Sequence, residues 1–323
     1  MKKETQAATN PFPFSDSNKR YYTYDYYLKQ TFGGKCVKIP LDGGMTCPNR
    51  DGRCGTGGCI YCSGRGSGDF AASPLLSVRE QYEEVRARMG SKWPTDRCIP
   101  YFQAHTNTYA APERLLRLYE AALSLPGAVG LNIATRADCL PDAALTLLAQ
   151  TSEQTVLTVE LGLQTANDAT AVRIGRGHTF ADFVDGYERL RQAVPRARIG
   201  VHLIFGLPGE TQADMLATVR QVARLAPDEV KLHSLYVLRG TPLAERWQAG
   251  EYVPMTQGDY VDTVVRALAL LPPTTVIGRL TGDGEAKELL APLWSRRKIA
   301  VLNEIDKWLY RKNAWQGKEY RPL

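Results

Sequence analysis

Cys47-Pro-Asn-Arg-Asp-Gly-Arg-Cys54-Gly-Thr-Gly-Gly-Cys59-Ile-Tyr-Cys62 places four of the chain's seven cysteines within sixteen residues. Thiolates this dense, in a chain with no other sign of a secreted disulfide scaffold, hold a metal or an iron-sulfur cluster. A structural zinc site would use all four as tetrahedral ligands. That arrangement wants two pairs, and here only Cys59 and Cys62 form Cys-x2-Cys. The alternative leaves Cys54 incidental. Three thiolates at Cys-x11-Cys-x2-Cys leave one iron of a 4Fe-4S cluster without a protein ligand, and an open position is what a catalytic cluster needs.

The elements around the loop give it a setting. Residues Lys35 to Leu41 alternate polar and apolar side chains and read as a strand. Ser77-Val-Arg-Glu80 has the capping-box pattern, with Val78, Tyr82, Val85 and Met89 on one helical face and Gly90 as a stop. The cysteines therefore lie between a strand and a helix. The pattern repeats, with strands expected at 98–103, 129–134, 155–161, 198–205 and 229–236. Helices are expected at 112–123, 141–149, from Asn167, and at 180–194 and 211–225. Six βα-type units argue for a parallel sheet covered by helices, short of the eight of a closed barrel.

In such folds function gathers at the C-terminal ends of the strands. Those positions are rich in polar residues: Gln103, His105, Asn107 and Tyr109 after the second strand, and Arg136 and Asp138 after the third. Glu160 belongs to the fourth strand, which leads into Gly162-Leu-Gln164-Thr165, and His202, Gly206 and Gly209 belong to the fifth and its turn. Lys231 and His233 belong to the sixth. Glu160 and His202 could be satisfied core polars, but the convergence of strand ends on one cavity favours a functional reading. Cys36, Cys98 and Cys139 read as ordinary strand or loop cysteines.

A chain of 323 residues with 44% hydrophobic content can bury a sizeable core. Its formal charge of +6 permits an anionic partner without requiring one. Met1-Lys-Lys-Glu-Thr-Gln has no apolar run behind it and no stretch is long enough to span a bilayer, so no membrane partner and a cytoplasmic location are expected. Residues 1–17 read as a flexible arm. The tyrosine-rich 19–29 segment could stack bases, although packing against the domain edge is the plainer reading. The end of the chain from Ser295 interleaves basic residues with Trp308, Tyr310, Trp315 and Tyr320. That suits nucleic acid, or else an amphipathic terminal helix with a solvated face.

The sequence resembles the radical S-adenosylmethionine (radical SAM) enzymes, which commonly place a three-cysteine loop after the first strand of a partial barrel. Their usual spacing is Cys-x3-Cys-x2-Cys; the longer spacing here is similar to that of the Elongator-like branch. From about Asn10 to its end the chain looks like the YhcC/YtqA-type subgroup. The matching text includes Asp42-Gly-Gly, Cys47-Pro-Asn-Arg-Asp-Gly, Gly57-Gly-Cys-x-x-Cys, Gly66-Ser-Gly-Asp-Phe70, Tyr101-Phe-Gln-Ala and Thr106-Asn-Thr. It continues with Ile133-Ala-Thr-Arg, Val159-Glu-Leu-Gly-Leu-Gln-Thr165, Gly206-Leu-Pro and Arg279-Leu-Thr-Gly-Asp-Gly284.

The resemblance implies an α/β fold, the radical SAM partial (βα)6 TIM-like barrel, with residues 18–240 as its core. Residues 241–323 would be a C-terminal extension packed on the barrel. It implies a 4Fe-4S cluster on Cys47, Cys59 and Cys62, with S-adenosylmethionine at the open iron. Gln164 and Arg176 would hold its ribose and carboxylate, Arg136 would add a guanidinium for the carboxylate, and His202 would face the ribose. Tyr61, Gln103, Asn107 and Glu160 are further candidates for the cofactor, and Gly206 and Gly209 would admit adenine. His178, His233 and Tyr109 are the candidate catalytic groups. The glycine-rich strip that many relatives carry after the second strand is replaced by Gln103-Ala-His-Thr-Asn, and no acetyltransferase domain follows the barrel. The implied partners are transfer RNA, at the wobble uridine, and an electron donor such as flavodoxin or ferredoxin. The YtqA-type members are associated with converting the carboxymethylaminomethyl side chain of that uridine to aminomethyl.

Overall fold

The computed structural model describes residues 10–90, 95–282 and 284–322. Its barrel strands are β1 (Val37–Leu41), β2 (Cys98–Phe102), β3 (Gly130–Thr135), β4 (Val156–Gln164), β5 (Arg198–Phe205) and β6 (Glu229–Ser234). A two-residue β7 (Val237–Leu238) follows, then β8 (Val276–Arg279) and β9 (Leu289–Ala291). The helices are α1 (Tyr24–Phe32), α2 (Val78–Met89), α3 (Pro112–Leu123), α4 (Asp142–Gln154) and α5 (Asp168–Arg173). They continue with α6 (Phe180–Ala193), α7 (Gln212–Leu225), α8 (Pro242–Gln248), α9 (Gln257–Leu270) and α10 (Lys298–Arg311).

Alternation along the strands fixes which side chains face the helices and which face the barrel interior. In β4, Leu157, Val159, Leu161 and Leu163 are buried and share a core with Leu148 of α4 and Phe183 of α6. The intervening Thr158, Glu160, Gly162 and Gln164 point the other way, as do His202 in β5 and Lys231 and His233 in β6. The strands pair in parallel in the order β1-β2-β3-β4-β5-β6-β8, and β7 pairs antiparallel with β9. The sheet curls into a partial barrel, because Lys38 Nζ on β1 comes within 4.0 Å of Glu229 Oε1 on β6.

The expected six strands are all present, and β5 has the expected bounds. Ser77 and Glu80 form the capping box of α2, and Gly90 ends that helix. A seventh strand, β8, comes from the segment expected to be a C-terminal extension. Gly278 lets it approach β6, since a Cβ there would collide with the carboxylate of Glu229. The tyrosine segment forms α1, with Tyr27 and Leu28 buried and the Lys38 ammonium 4.4 Å from the ring centre of Tyr24. These tyrosines pack against the barrel edge, the plainer of the two readings.

Of the expected flexible arm, residues 1–9 lie outside the described residues, but 10–17 are packed down. Asn10 Nδ2 donates to the carbonyls of Ser17 (3.1 Å) and Lys19 (2.7 Å), Phe12 is buried, and Phe14 stacks on Tyr22. At the other end α10 buries Val301, Ile305 and Leu309 and packs on α9, so it is an amphipathic helix with a charged outer face. Among the described residues, no helix is long and apolar enough to cross a membrane.

Candidate active site

Cys47, Cys59 and Cys62 line one cavity at the C-terminal ends of the strands. The loop that carries them is tied to the turn after α5. Gly58 N donates to Asn49 O (2.8 Å), Ile60 N to Ile174 O (3.0 Å), and Cys62 N to Cys59 O (2.9 Å). Asn49 Nδ2 lies 3.5 Å from Cys59 Sγ and also donates to the carbonyls of Gly175 (2.9 Å) and Arg176 (2.8 Å). The guanidinium of Arg50 donates to Ser63 O at 2.6 Å. Burial, with Cys59 beside it, pushes the Cys62 thiol up to about 12 despite Arg50 nearby. Thiols so placed ionise when a metal supplies strong positive charge.

Cys54 does not join the other three. It is exposed and opens on a second groove with Asn49, His178 and Asp182. No group of three or more His, Cys, Asp or Glu side chains among the described residues is placed to hold a single metal ion. The position of Cys54 on a separate groove does not match a four-cysteine zinc centre. Three separated thiols on one cavity wall suit a cluster, in which each cysteine takes a different iron.

The barrel interior holds a charged layer built from successive strands. Glu160 is fully buried. Its Oε1 accepts from Lys38 Nζ (2.9 Å) and Asn132 Nδ2 (2.8 Å); its Oε2 accepts from Tyr101 OH (2.5 Å), from Lys231 Nζ, and faces His202 Nε2 at 2.8 Å. β1 to β6 thus each contribute one residue. Gly200 leaves room for it, as a Cβ there would lie 3.3 Å from Glu160 Cγ and 3.6 Å from Glu229 Cβ. Burial alone would raise the Glu160 pKa, but Lys231 and Lys38 outweigh it and hold the carboxyl well below its usual range. Burial, together with repulsion by Lys38, lowers Lys231 to about 8 against the pull of Glu160. Burial and Lys231 bring His202 down to about 4, so it is neutral.

Glu160 has no lone-pair site left for a cofactor. It acts on the cavity by fixing its donors. His233 also lines the cavity, its ring 5.4 Å from that of His202, and its buried Nε2 has no hydrogen-bond partner.

Tyr61, Gln103, Gln164, Arg136 and Arg176 complete the set of expected residues that the cavity brings together. Gln164 sits at φ 76°, just past a bulge opposite β5, so a non-glycine residue is held in the left-handed region at the cavity wall. Arg176 donates to Gly162 O, while its buried Nε is unpartnered. Arg136 is already engaged: Nε and Nη2 bind the two oxygens of Asp138 (2.9 and 2.7 Å), and Nη1 binds Arg176 O (2.9 Å). Its guanidinium buttresses the 175–177 turn. His105, at φ 59°, packs its ring against Gly66 at the cavity edge.

Five expected residues lie elsewhere. Asn107 is buried below the strand ends, where Nδ2 ties the carbonyls of Phe102, Ala104 and Ala134 together. Tyr109 does not line the cavity and packs beside Arg53. His178 lines the second groove. Gly206 and Gly209 have positive φ, but a Cβ on them would meet Met255 and Arg173, so they shape the β5–α7 turn rather than the cavity wall. Conversely, Lys38, Tyr101 and Asn132 were missed as site residues, although each occupies an inward position of a strand. Asn49 and Arg50 lie within Cys47-Pro-Asn-Arg-Asp-Gly, whose residue types give no sign that these two side chains hold the cysteine loop in place.

Residues 50–222 match the Radical SAM superfamily and residues 227–311 the Radical SAM C-terminal domain. The chain belongs to the radical SAM superfamily, whose members use a 4Fe-4S cluster and S-adenosylmethionine, and within it to the Elongator-like enzymes. It is 43% identical over 314 residues to YtqA of Bacillus subtilis, covering 97% of each chain. It is 38% identical over 285 residues to YhcC of Escherichia coli K12, covering 87% of this chain and 90% of YhcC. A tRNA uridine(34) acetyltransferase of Dehalococcoides mccartyi is 32% identical over 195 residues, 59% of this chain and 41% of that protein. The archaeal Methanocaldococcus infernus Elp3 shares the fold, with a TM-score of 0.62 at 17% identity, over 87% of this chain and 64% of that one.

Proposed function

We propose that this radical SAM enzyme modifies the wobble uridine of transfer RNA, converting a carboxymethylaminomethyl side chain to aminomethyl. The kinship with a tRNA uridine(34) acetyltransferase supports the RNA substrate. The observation that carries the catalytic reading is the single cavity in which three cysteines face a ring of polar strand ends.

In this reading Cys47, Cys59 and Cys62 ligate three irons of the cluster, and Cys54 stays out. When bound, the cluster and S-adenosylmethionine would supply a deoxyadenosyl radical that takes a substrate hydrogen and leaves as deoxyadenosine; loss of one further electron and addition of water would then cleave the C–N bond, leaving the aminomethyl group and releasing the two-carbon unit as an oxoacid. The chain's own residues bind, orient and shield. Gln164 and Arg176 present polar groups to the cofactor beside the cysteines, with Tyr61 and Gln103 as further wall contacts, and His202 faces the same space. An electron donor such as flavodoxin or ferredoxin reduces the cluster. The basic, aromatic end of the chain offers a surface for the RNA, whose unpaired anticodon bases are the kind that proteins read by stacking.

Mass spectrometry of wobble nucleosides from a strain lacking the gene tests the substrate. The carboxymethylaminomethyl form should accumulate; an unchanged nucleoside profile rejects the assignment. Deoxyadenosine release by the anaerobically reconstituted, reduced enzyme tests the chemistry separately.

A further inference from the structure

We propose that the floor of the cavity, formed by Lys231, His233 and Arg279 above the Glu160 carboxylate, is a subsite for an anionic group of the substrate, and specifically for a carboxylate. This rests on the proposed function for the identity of the RNA, but the subsite itself rests on the geometry below.

Lys231 and His233 are two residues apart on the inward face of β6, and Lys231 pairs in register with His202 on one side and Arg279 on the other. All four line the cavity. By register His202, Lys231 and Arg279 lie level with Gly162, below Gln164, whereas His233 lies level with Ile204, above it; all four stand on β5, β6 and β8, away from β1, which the cysteine loop follows. An occupant of the floor is therefore a different chemical group from one held at the cysteines.

The floor is electrically prepared for an anion. Of the acids lining the cavity, Glu160 is saturated by five donors and Asp69 accepts from Ser63 Oγ at 3.0 Å near the cysteine loop. Glu160 is thereby closed to a cation of the substrate, while Asp69 stands beside the cysteine loop and not at the floor. Lys231 and Arg279 are cations and Lys38 stands behind them; Glu160 and the buried Glu229, 4.0 Å from each lysine, offset the two ammonium groups, so the cationic excess at the floor is that of Arg279. His233 is held well below its ordinary value by burial, then by His202, Arg279 and Lys231. A neutral imidazole beside cations can turn an N–H toward an anion, and the buried Nε2 of His233 has no hydrogen-bond partner among the described residues. An isolated polar atom in a buried position is unfavourable unless a ligand or water satisfies it.

A carboxylate on this floor would gain charge-assisted hydrogen bonds in a site with low-dielectric walls. A cation would be repelled. The side chain of the proposed substrate ends in a carboxylate, whereas that of the proposed product ends in an amine. When the C–N bond is cut the carboxylate stays with the departing two-carbon unit, so the RNA loses its contact with the subsite and keeps only an amine, which couples completion of the reaction to release of the RNA.

Two measurements on the anaerobic holoenzyme test this. First, anticodon stem-loops carrying carboxymethylaminomethyluridine, uridine or aminomethyluridine are compared for affinity. The expected order is that order, with the first bound at least roughly tenfold tighter than the last, the scale of one charge-assisted contact. The ratio should collapse toward one in Lys231→Met and in Arg279→Met, each checked for intact cluster absorbance and S-adenosylmethionine binding. Equal binding of all three RNAs by the wild type would overturn the subsite and leave the RNA assignment standing. Second, acetate and inorganic phosphate are titrated while the ring nitrogens of the four histidines are followed by NMR. Acetate should move the His233 signal in the wild type and not in Arg279→Met, even if no RNA binds and the RNA assignment fails. A response to phosphate alone would point to a backbone phosphate and overturn the carboxylate. No response to either anion would overturn the subsite itself.

Discussion

Asn49 Nδ2 lies 3.5 Å from the sulfur of Cys59 while donating to the carbonyls of Gly175 and Arg176, so one carboxamide couples the cysteine loop to the turn that carries Arg176. Hydrogen bonds to cluster sulfurs raise the reduction potential by stabilising the electron-rich state. Asn49→Ala should therefore lower the midpoint potential of the cluster, measured by EPR-monitored redox titration. It should also destabilise the fold by about 1–3 kcal/mol through the orphaned Gly175 carbonyl, Arg176 O keeping its bond from Arg136 Nη1. An unchanged potential would remove Asn49 from the cluster environment.

Cys54→Ala should leave iron content, the cluster absorbance and deoxyadenosine formation unchanged, because that side chain opens on a separate groove. Cys47→Ala, Cys59→Ala and Cys62→Ala should each lose most of the iron. Equal iron loss in all four variants would restore a four-cysteine site.

Glu160→Gln keeps the shape of the buried layer but removes the nearer of the two counter-charges that Lys38 and Lys231 share, leaving Glu229 at 4.0 Å from each. Breaking a buried pair in this way costs about 3–5 kcal/mol, whereas removing both sides costs less. Glu160→Gln with Lys231→Met should accordingly be more stable than the sum of the single changes implies, measured as a double-mutant cycle in urea. Additive effects would deny the coupling.

His202 and His178 both have native values near 4, burial being the first cause in each. The unfolded state, titrating near 6.5, binds these protons first, so stability falls as pH drops from about 6.5 toward 4. The depressed pKa of Glu160 acts in the same direction, its contribution being lost as pH falls through the native value. Histidine NMR should show both rings neutral at pH 6. Titration of either near 6.5 would contradict the burial that the fold assigns it.

Gln164 occupies the left-handed region at the cavity wall. Gln164→Gly relieves backbone strain of about 1–3 kcal/mol, offset in part by the greater freedom of glycine in the unfolded chain. The variant should melt no lower than the wild type while binding S-adenosylmethionine more weakly in equilibrium dialysis. Unchanged affinity would remove Gln164 from the cofactor contacts.

Much of the barrel was legible because its strands carry two periodicities at once. Leu157, Val159 and Leu161 mark the helix-facing side of β4, and Glu160 and Gln164 mark the inner side. β8 was not legible: a four-residue strand is too short for a pattern, and its place beside β6 depends on Gly278 clearing Glu229, a contact made across about fifty residues. At the site, the cysteines were readable from spacing, and the separation of Cys54 agrees with the three-plus-one reading. Asn107, Tyr109, Gly206 and Gly209 were drawn in by their place after strand ends, yet local backbone bonding and packing turn them away from the cavity. The saturation of Glu160 arises from five donors on five other strands, a three-dimensional fact that no spacing encodes.

The most direct measurement is the nucleoside content of undermodified transfer RNA incubated anaerobically with the reconstituted enzyme, a reductant and S-adenosylmethionine, with deoxyadenosine quantified in the same reaction. Loss of the carboxymethylaminomethyl form, gain of the aminomethyl form and formation of deoxyadenosine together are the predicted result. Deoxyadenosine formation with the wobble nucleoside unchanged would contradict the proposed substrate, and no deoxyadenosine under any reducing condition would contradict the chemistry.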